Sequence, residues 1–199
     1  MMTAKTIYLV RHAEPAGIDS QGFYLGQSDP PLSPAGVKQA GRLAETFKGK
    51  PIRAVYCSDL ARALETASII ARVLRCRPVK VKAFREINLG DWEGLSTAEV
   101  QERYPGEYEK RGADFVCYRP PGGESFADLH RRVIPAFFRV VEESAGDLVI
   151  VAHAGVNRVI LCELLGLELS KLFSIEQTYA RVDVIRKDVR GYTVGGYEN

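Results

Sequence analysis

Short apolar runs alternate with amphipathic stretches along most of the chain. Runs typical of buried parallel strands occur at residues 6–10 (TIYLV), 54–57 (AVYC), 79–84 and 148–152 (LVIVA). Apolar residues recur at helical spacing in the stretches between them. This alternation predicts an α/β fold, a three-layer sandwich with a mostly parallel central sheet and helices on both faces.

Several of the predicted helices have recognisable start signals. Ser33 followed by Pro34 is typical of an N-cap and a proline at the first helical position. A second helix is predicted at about residues 60–74, and a third begins at Ser125. A further helix at about residues 155–165 follows the last of the four apolar runs.

The length and the order of these elements favour one domain over residues 1–199. Residues from about 96 to 141 hold two or three predicted helices, which we interpret as a small helical insertion over the active-site edge of the sheet. Residues 180–185 and 192–194 predict a terminal hairpin. The segment 13–32 is too long for a simple connection, which indicates a functional loop.

Charge and composition exclude several classes of protein. The 27 Lys and Arg residues nearly balance the 25 Asp and Glu, so the net charge of +2 gives no field for nucleic acid or a membrane surface. No apolar stretch approaches the about 20 residues of a membrane span, and the N-terminus lacks a signal-peptide pattern. We therefore expect a cytoplasmic protein that binds neither nucleic acid nor membranes. An exposed sheet edge would leave room for a homodimer.

The four cysteines show no spacing typical of a zinc site, and we expect reduced thiols that act as packing residues. The sequence predicts no metal and no cofactor.

Two histidines follow predicted parallel strands at the point where each strand ends. His12 comes directly after residues 6–10 and Arg11, and His153 follows residues 148–152. Because the carboxyl ends of parallel strands meet at one sheet edge, where ligand crevices form, the two imidazoles are expected side by side. His130 lacks this context, since it lies inside a helical pattern.

This pattern indicates phosphoryl transfer. A neutral imidazole is a good nucleophile near pH 7, so His12 can split the hydrolysis of a phosphomonoester into two steps. The transferring group needs planar guanidinium partners, for which Arg11 and Arg62 are the candidates. Glu86 is the candidate proton donor to the leaving group. Asp91 and Glu93 lie in the same loop, and we interpret them as turn or capping residues.

These residues resemble the histidine phosphatase superfamily, also called the phosphoglycerate mutase-like fold, from Tyr8 to about Arg158. Residues 9–14 (LVRHAE) resemble its RHG signature and residues 58–67 (SDLARALETA) its second motif. Glu86 with residues 90–94 (GDWEG) resembles the acid loop, and residues 151–155 (VAHAG) the second-histidine strand.

The resemblance implies roles for individual residues. His12 would be the phosphorylated nucleophile, and Glu86 would donate the proton. Arg11, Arg62 and His153 would form the phosphate pocket. Weaker candidates for substrate binding are Gly26, Gln27 and Ala154.

The chain departs from the family pattern at a few positions. Ala13 and Ala154 stand where glycine is common. A phosphate-binding asparagine that often follows the first motif is absent, with Gly17 and Ile18 at about its place. Ser20 or Gln27 could replace its donor.

Mutases that resemble this chain are longer and have a Glu-Arg-His-Tyr stretch at the acid loop, where residues 86–89 (EINL) stand here, so the resemblance favours a phosphatase over a mutase. Among small phosphorylated metabolites, α-ribazole 5'-phosphate is one candidate. Alternatives are a cofactor-dependent phosphoglycerate mutase and a non-catalytic module that recognises phosphate. Five aromatic residues could line a substrate pocket or form local core: Tyr24, Trp92, Tyr104, Phe115 and Tyr118.

Overall fold

A computed structural model describes residues 4–17 and 23–196. Its strands are β1 (Lys5–Arg11), β2 (Ile52–Cys57), β3 (Pro78–Lys80), β4 (Asp147–Ala152), β5 (Val182–Asp188) and β6 (Gly191–Gly196). Its α-helices are α1 (Pro34–Thr46), α2 (Ala61–Val73), α3 (Thr97–Arg103), α4 (Glu107–Ala113), α5 (Phe126–Glu143) and α6 (Ala154–Leu165).

The strands form one sheet in the order β3-β2-β4-β1-β5-β6. The four strands from β3 to β1 run parallel, and β5 and β6 add an antiparallel hairpin beside β1. The mixed, mostly parallel sheet and the terminal hairpin confirm the predicted fold class.

Alternating residues of the strands feed two separate cores. Ile7, Leu9 and Ile150 face a cluster that includes apolar residues of α5 and α6. Tyr8 and Val149 belong to the opposite cluster, which takes in residues of α1 and α2. Since consecutive strand residues point to opposite faces, the near-continuous apolar runs reflect burial on both sides. The result is the predicted three-layer sandwich.

The predicted start signals are confirmed at two helices. Ser33 caps α1 by accepting a hydrogen bond from the Gly36 amide at 2.9 Å. Ser125 caps α5 in a reciprocal capping box with Asp128. The segment around residues 96–141 holds the three helices α3, α4 and α5, and the buried face of α5 packs on α6 and the sheet.

The third strand is shorter than predicted. Strand β3 ends at Lys80, and Lys82–Phe84 form a turn of 3₁₀-helix instead of continuing the strand. Phe84 is fully buried in the cluster beneath α5, so its apolar character reflects core packing rather than a strand. Short apolar runs do not distinguish these two outcomes.

Cys57 and Cys162 are buried, as expected of packing residues, but Cys117 is exposed, so that expectation was wrong for this thiol. In the described part of the chain, no helix combines the length and the apolar character needed to cross a membrane.

Candidate active site

Two histidines meet at the carboxyl edge of the sheet. His12 directly follows β1 and His153 directly follows β4, and these strands pair in parallel with Arg11 opposite Ala152. The backbone amide of His12 extends the pairing by donating to the Ala152 carbonyl at 3.0 Å. The imidazole centroids are 5.0 Å apart, and both rings are buried. The structure thus brings together the two histidines that the sequence predicts.

The hydrogen bonds of His12 fix which ring nitrogen is free to react. Nδ1 lies 2.7 Å from the Ala13 carbonyl, which can only accept, so Nδ1 carries the proton. Nε2 is then unprotonated, and it accepts a hydrogen bond from Nε of Arg62 at 3.3 Å. The lone pair of Nε2 therefore faces the guanidinium group.

Arg62 lies in the first turn of α2 and is almost fully buried. Besides Nε, its Nη1 donates to the Ser28 carbonyl and its Nη2 to the Gly26 carbonyl, each at 2.7 Å. Its cationic group is thus held against a loop and beside His12, where the N-terminal end of α2 also favours an anion.

Arg11 supplies the second guanidinium group. Its Nη1 donates to the Gln177 carbonyl, and its guanidinium carbon lies 4.0 Å from the ring centroid of Tyr179. The Tyr179 ring in turn lies 5.6 Å from that of His12. Sequence reasoning missed Tyr179, because no strand end or motif marks the segment that leads into β5.

A buried polar network supports the segment that contains Gln177 and Tyr179 and leads into β5. The side-chain amide of Asn157 donates to Gln177 Oε1 at 3.0 Å, and the side-chain amide of Gln177 donates to the Asp183 carboxylate at 2.7 Å. Arg181 donates to the other Asp183 oxygen at 3.1 Å. Asn157, Gln177 and Asp183 are all buried, so these hydrogen bonds fix the backbone that holds Arg11.

His153 has two ring nitrogens that are buried and have no hydrogen-bond partner among the residues that the structure describes. Buried polar atoms of a protein are normally hydrogen-bonded, so an unpartnered pair is a place for a ligand to bind. Nε of Arg11 is unpartnered in the same way. Both groups fit a pocket that is completed by an anion.

Glu86 lies beside this pocket and is also buried. One of its carboxylate oxygens accepts from the Gly155 amide at 3.0 Å and the other from the Ile87 amide at 2.9 Å. A Cβ added at Gly155 would clash with a Glu86 carboxylate oxygen, so a larger residue at this position would push the carboxyl group away. The backbone at the start of α6 thereby orients a carboxyl group toward the pocket.

The acid loop is anchored by Arg132 of α5. Its guanidinium group donates to the carbonyls of Ala83, Arg85 and Glu86 at 2.8–2.9 Å. It also forms an ion pair with Glu124 at 2.8 Å. Three of these contacts hold the backbone that leads up to Glu86 and includes it.

Glu93 ties the loop of residues 26–28 to the site. Its carboxylate accepts from three consecutive amides, those of Gly26, Gln27 and Ser28, at 2.8–3.2 Å. A Cβ at Gly26 would lie 2.5 Å from the Ile87 carbonyl oxygen, so the loop packs closely on the acid loop. Glu93 is thus a positioning residue, in line with the turn or capping role predicted for it.

The weaker binding candidates lie at the site as well. The Gln27 amide group donates to the Glu86 carbonyl at 3.1 Å, and Ala154 opens α6 next to His153. Ala13 is fully buried without a positive φ, and Ala154 also has a negative φ, so neither position needs glycine. Ser20 and Ile18 lie outside the described residues.

A cavity of about 230 Å³ opens beside Glu86 and Ala154. Six of the sixteen described residues that line it are aromatic: Phe23, Tyr24, Phe115, Tyr118, Phe126 and Phe173. Three of the five aromatic residues proposed for a substrate pocket, Tyr24, Phe115 and Tyr118, therefore line it. Trp92 is instead fully buried in the core. Tyr104 packs against the same core.

Burial and charge keep both active-site imidazoles neutral. Burial lowers the pKa of His12 well below its usual value, and the charges of Arg62 and Arg11 lower it further. The pKa of His153 is lowered by burial and by the same cationic surroundings. Burial also lowers the pKa of Arg11 and of Arg62, although a guanidinium remains charged. The site thus combines neutral imidazoles with two cations.

The family profile of the histidine phosphatase superfamily, branch 1, matches residues 7–199. The chain belongs to this superfamily. This histidine phosphatase is 34% identical over 186 residues to phosphoserine phosphatase 1 of Hydrogenobacter thermophilus, covering 92% of the chain and 87% of the relative. It is also 34% identical over 166 residues to a 6-phosphofructo-2-kinase/fructose-2,6-bisphosphatase of Gallus gallus, covering 82% of the chain and 33% of that longer protein.

Solved structures share the fold of this histidine phosphatase. A putative α-ribazole-5'-P phosphatase from Escherichia coli superposes with a TM-score of 0.90 at 24% identity, covering 99% of this chain and 97% of the other. Bacillus stearothermophilus YhfR superposes with a TM-score of 0.86 at 29% identity, covering 96% and 95%. The phosphatases among its relatives establish the chain as a phosphatase, while their different names leave its substrate open.

The lowered imidazole pKa values predict a loss of stability in weak acid. An unfolded histidine titrates near pH 6.5, so unfolding takes up protons below that pH. The contribution of His12 and His153 is complete above about pH 6.5 and falls below it, by at most about 1.4 kcal/mol per pH unit for each ring. Urea unfolding from pH 8 to pH 5.5 in phosphate-free buffer measures this slope.

The double variant His12→Gln with His153→Gln should flatten the slope. If unfolding free energy depends on pH as steeply in the double variant as in the wild-type enzyme, groups other than these two histidines cause the dependence.

Removing the Glu93 carboxylate should loosen the loop that holds Arg62. Glu93→Ala leaves three loop amides without their acceptor, so we expect a loss of about 1–3 kcal/mol in unfolding free energy. We also expect kcat/KM to fall about tenfold, because Arg62 rests on the same loop. Asp91→Ala is the matched control, since Asp91 is exposed two residues away. Equal effects of the two substitutions would contradict the positioning role.

Proposed function

We propose that the protein hydrolyses small phosphomonoesters through a phosphohistidine formed at Nε2 of His12. The observation that carries this proposal is the unprotonated Nε2, which faces a buried guanidinium group while Nδ1 donates to the Ala13 carbonyl. A neutral imidazole with a fixed tautomer is ready to attack phosphorus.

In the first step, the Nε2 lone pair forms a bond to phosphorus as the ester P–O bond breaks. The departing oxygen takes a proton from the carboxylic acid form of Glu86, which releases the alcohol. Arg11 and Arg62 neutralise the charge on the three equatorial oxygens, and an N–H of His153 donates a hydrogen bond to one of them. Each of these groups lies at the same sheet edge.

In the second step, water attacks phosphorus on the phosphohistidine. Glu86, now a carboxylate, takes a proton from the water, and the N–P electron pair returns to Nε2. Inorganic phosphate leaves, and both residues recover their starting protonation states. The sum is hydrolysis of one phosphomonoester, with all catalytic groups supplied by the chain.

For the substrate, we propose a small phosphorylated metabolite with an apolar or aromatic portion, and α-ribazole 5'-phosphate is one candidate. The aromatic cavity next to Glu86 supports this class, because a leaving group must lie beside its proton donor. The relative named as a phosphoserine phosphatase makes phosphoserine a second compound for the same screen.

The test is hydrolysis of 4-nitrophenyl phosphate with EDTA present, combined with intact-mass detection of an acid-labile phosphorylated enzyme after rapid mixing. We expect turnover and one added phosphoryl group per chain. Phosphate release without a phosphorylated enzyme would overturn the covalent route. Transfer of the phosphoryl group to a phosphoglycerate in preference to water would indicate a mutase instead.

A further inference from the structure

Two arginines line the aromatic cavity, and both are held by aromatic rings instead of carboxylates. Arg158 belongs to α6 and Arg111 to α4, so they approach the cavity from different elements. Neither takes part in the catalytic steps proposed above. The cavity itself adjoins Glu86, which places the two cations where the leaving group of a substrate would lie.

Arg158 is half-buried and uses only one nitrogen for the protein. Its Nε donates to the Ile175 carbonyl at 2.9 Å, and its guanidinium carbon lies 5.3 Å from the ring centroid of Phe173. Within residues 4–17 and 23–196, no carboxylate pairs with it and neither Nη group has an acceptor. The forked end of the guanidinium group is therefore available to a ligand.

Arg111 has a similar environment. Its guanidinium carbon lies 5.7 Å from the ring centroid of Tyr24, and no described carboxylate forms an ion pair with it. The neighbouring Lys110 differs, because it pairs with Glu107 at 2.6 Å. A cation–π contact attracts a guanidinium group without neutralising its charge.

The two acidic side chains of the cavity, Glu86 and Glu124, form no ion pair with either arginine in the described part of the chain, although the charge of Glu86 acts on Arg158. Glu124 is bound by Arg132 and by the Asn88 amide, and Glu86 accepts from two backbone amides. When Glu86 carries the proton for the leaving group, it is neutral. The cavity then contains two unpaired cations between aromatic walls, a setting that attracts an anion.

We propose that the natural substrate carries a second anionic group on its leaving portion, held by Arg158 and Arg111 while the apolar part lies against the aromatic walls. This inference rests on the proposed function. A carboxylate is the preferred group, since its two oxygens match the forked guanidinium, and a second phosphate offers the same chemistry. The cavity thus selects phosphorylated acids over phosphomonoesters without a second charge, and of the two compounds named above it favours phosphoserine over α-ribazole 5'-phosphate.

The test compares 3- and 4-carboxyphenyl phosphate with their methyl esters, which keep the ring and lose the charge. Wild-type enzyme should show a kcat/KM at least about tenfold higher for one of the acids than for its ester. Arg158→Gln and Arg111→Gln should each reduce this acid-to-ester ratio, whereas Arg103→Gln should not, because Arg103 pairs with Glu99 on α3 away from the cavity. Phenylene bisphosphate, in which a second phosphate replaces the carboxylate, shows which of the two anionic groups the arginines prefer.

Binding of 4-carboxybenzylphosphonate and benzylphosphonate, followed by calorimetry, provides a readout that needs no turnover. Tighter binding of the carboxylated compound that is lost in Arg111→Gln supports the inference even if Arg158→Gln fails to fold. Hydrolysis of the esters with an acid-to-ester ratio near one in wild-type enzyme would overturn the inference and leave the proposed function intact. Arginine-dependent binding without any hydrolysis would overturn the proposed function alone.

Discussion

His12→Ala is expected to abolish phosphatase activity, with a loss of about 10⁴-fold or more in kcat. The reason is that Nε2 is the proposed site of the covalent bond, and no other imidazole in the pocket has a fixed, unprotonated nitrogen beside a guanidinium. The phosphorylated enzyme should disappear from the intact-mass spectrum at the same time.

The variant should nevertheless still bind phosphate, because Arg11, Arg62 and His153 remain. A rise in melting temperature with orthovanadate or phosphate would show that the pocket has survived the substitution. His130→Ala is the matched control, since this histidine of α5 pairs with Glu163 and does not line the cavity beside Glu86. A phosphorylated enzyme that persists in His12→Ala would place the covalent bond elsewhere.

Glu86→Gln is expected to lower the hydrolysis of alkyl phosphates by about 10²–10⁴-fold and that of activated aryl phosphates much less. An alkoxide must be protonated as it leaves, whereas 4-nitrophenolate leaves without a proton. The compounds 4-nitrobenzyl phosphate and 4-nitrophenyl phosphate have nearly the same shape and test this difference in one pocket.

The comparison of leaving groups separates proton donation from a structural role. Both Glu86 oxygens accept backbone hydrogen bonds, so the glutamine also disturbs the loop. That disturbance would slow both substrates alike, and only lost proton donation makes the effect depend on the leaving group. Asp91→Asn should leave both rates unchanged. Equal losses on the two compounds would argue against the acid role of Glu86.

The two active-site histidines could be predicted from the sequence because their proximity depends on the sheet topology alone. Parallel strands that end on His12 and His153 must bring both rings to one edge, whatever the details of packing. Arg62 could also be predicted, since it follows a strand and lies in the first turn of the next helix, where the helix dipole favours an anion. These residues carry local signals in the sequence.

Other parts of the site depend on contacts between distant segments, which no local pattern encodes. Tyr179 meets Arg11 across 168 positions of the sequence only because β5 pairs with β1. Arg132 resembled an ordinary helix residue, yet it anchors the acid loop. Arg158 and Arg111 likewise reveal their lack of carboxylate partners only in three dimensions. The end of β3 was missed because core burial and strand burial produce the same apolar run.

The hydrogen bonds of Arg62 have a further consequence for the proposed reaction cycle. In the resting enzyme its Nε–H contacts the His12 lone pair, while two other N–H groups hold the carbonyls of Gly26 and Ser28. Once Nε2 is bonded to phosphorus, that lone pair is gone, and the same N–H can turn to a phosphoryl oxygen. The other two N–H groups of Arg62 have no acceptor among the residues that the structure describes, so they are available to the phosphoryl group from the start.

A lysine at position 62 has only three N–H groups, which would have to serve the loop carbonyls and the phosphoryl group together. The shape of residues 26–28 and the affinity for the phosphoryl group are thus determined by one side chain. A substitution at position 62 that changes the shape of this loop would therefore also change the affinity for the phosphoryl group.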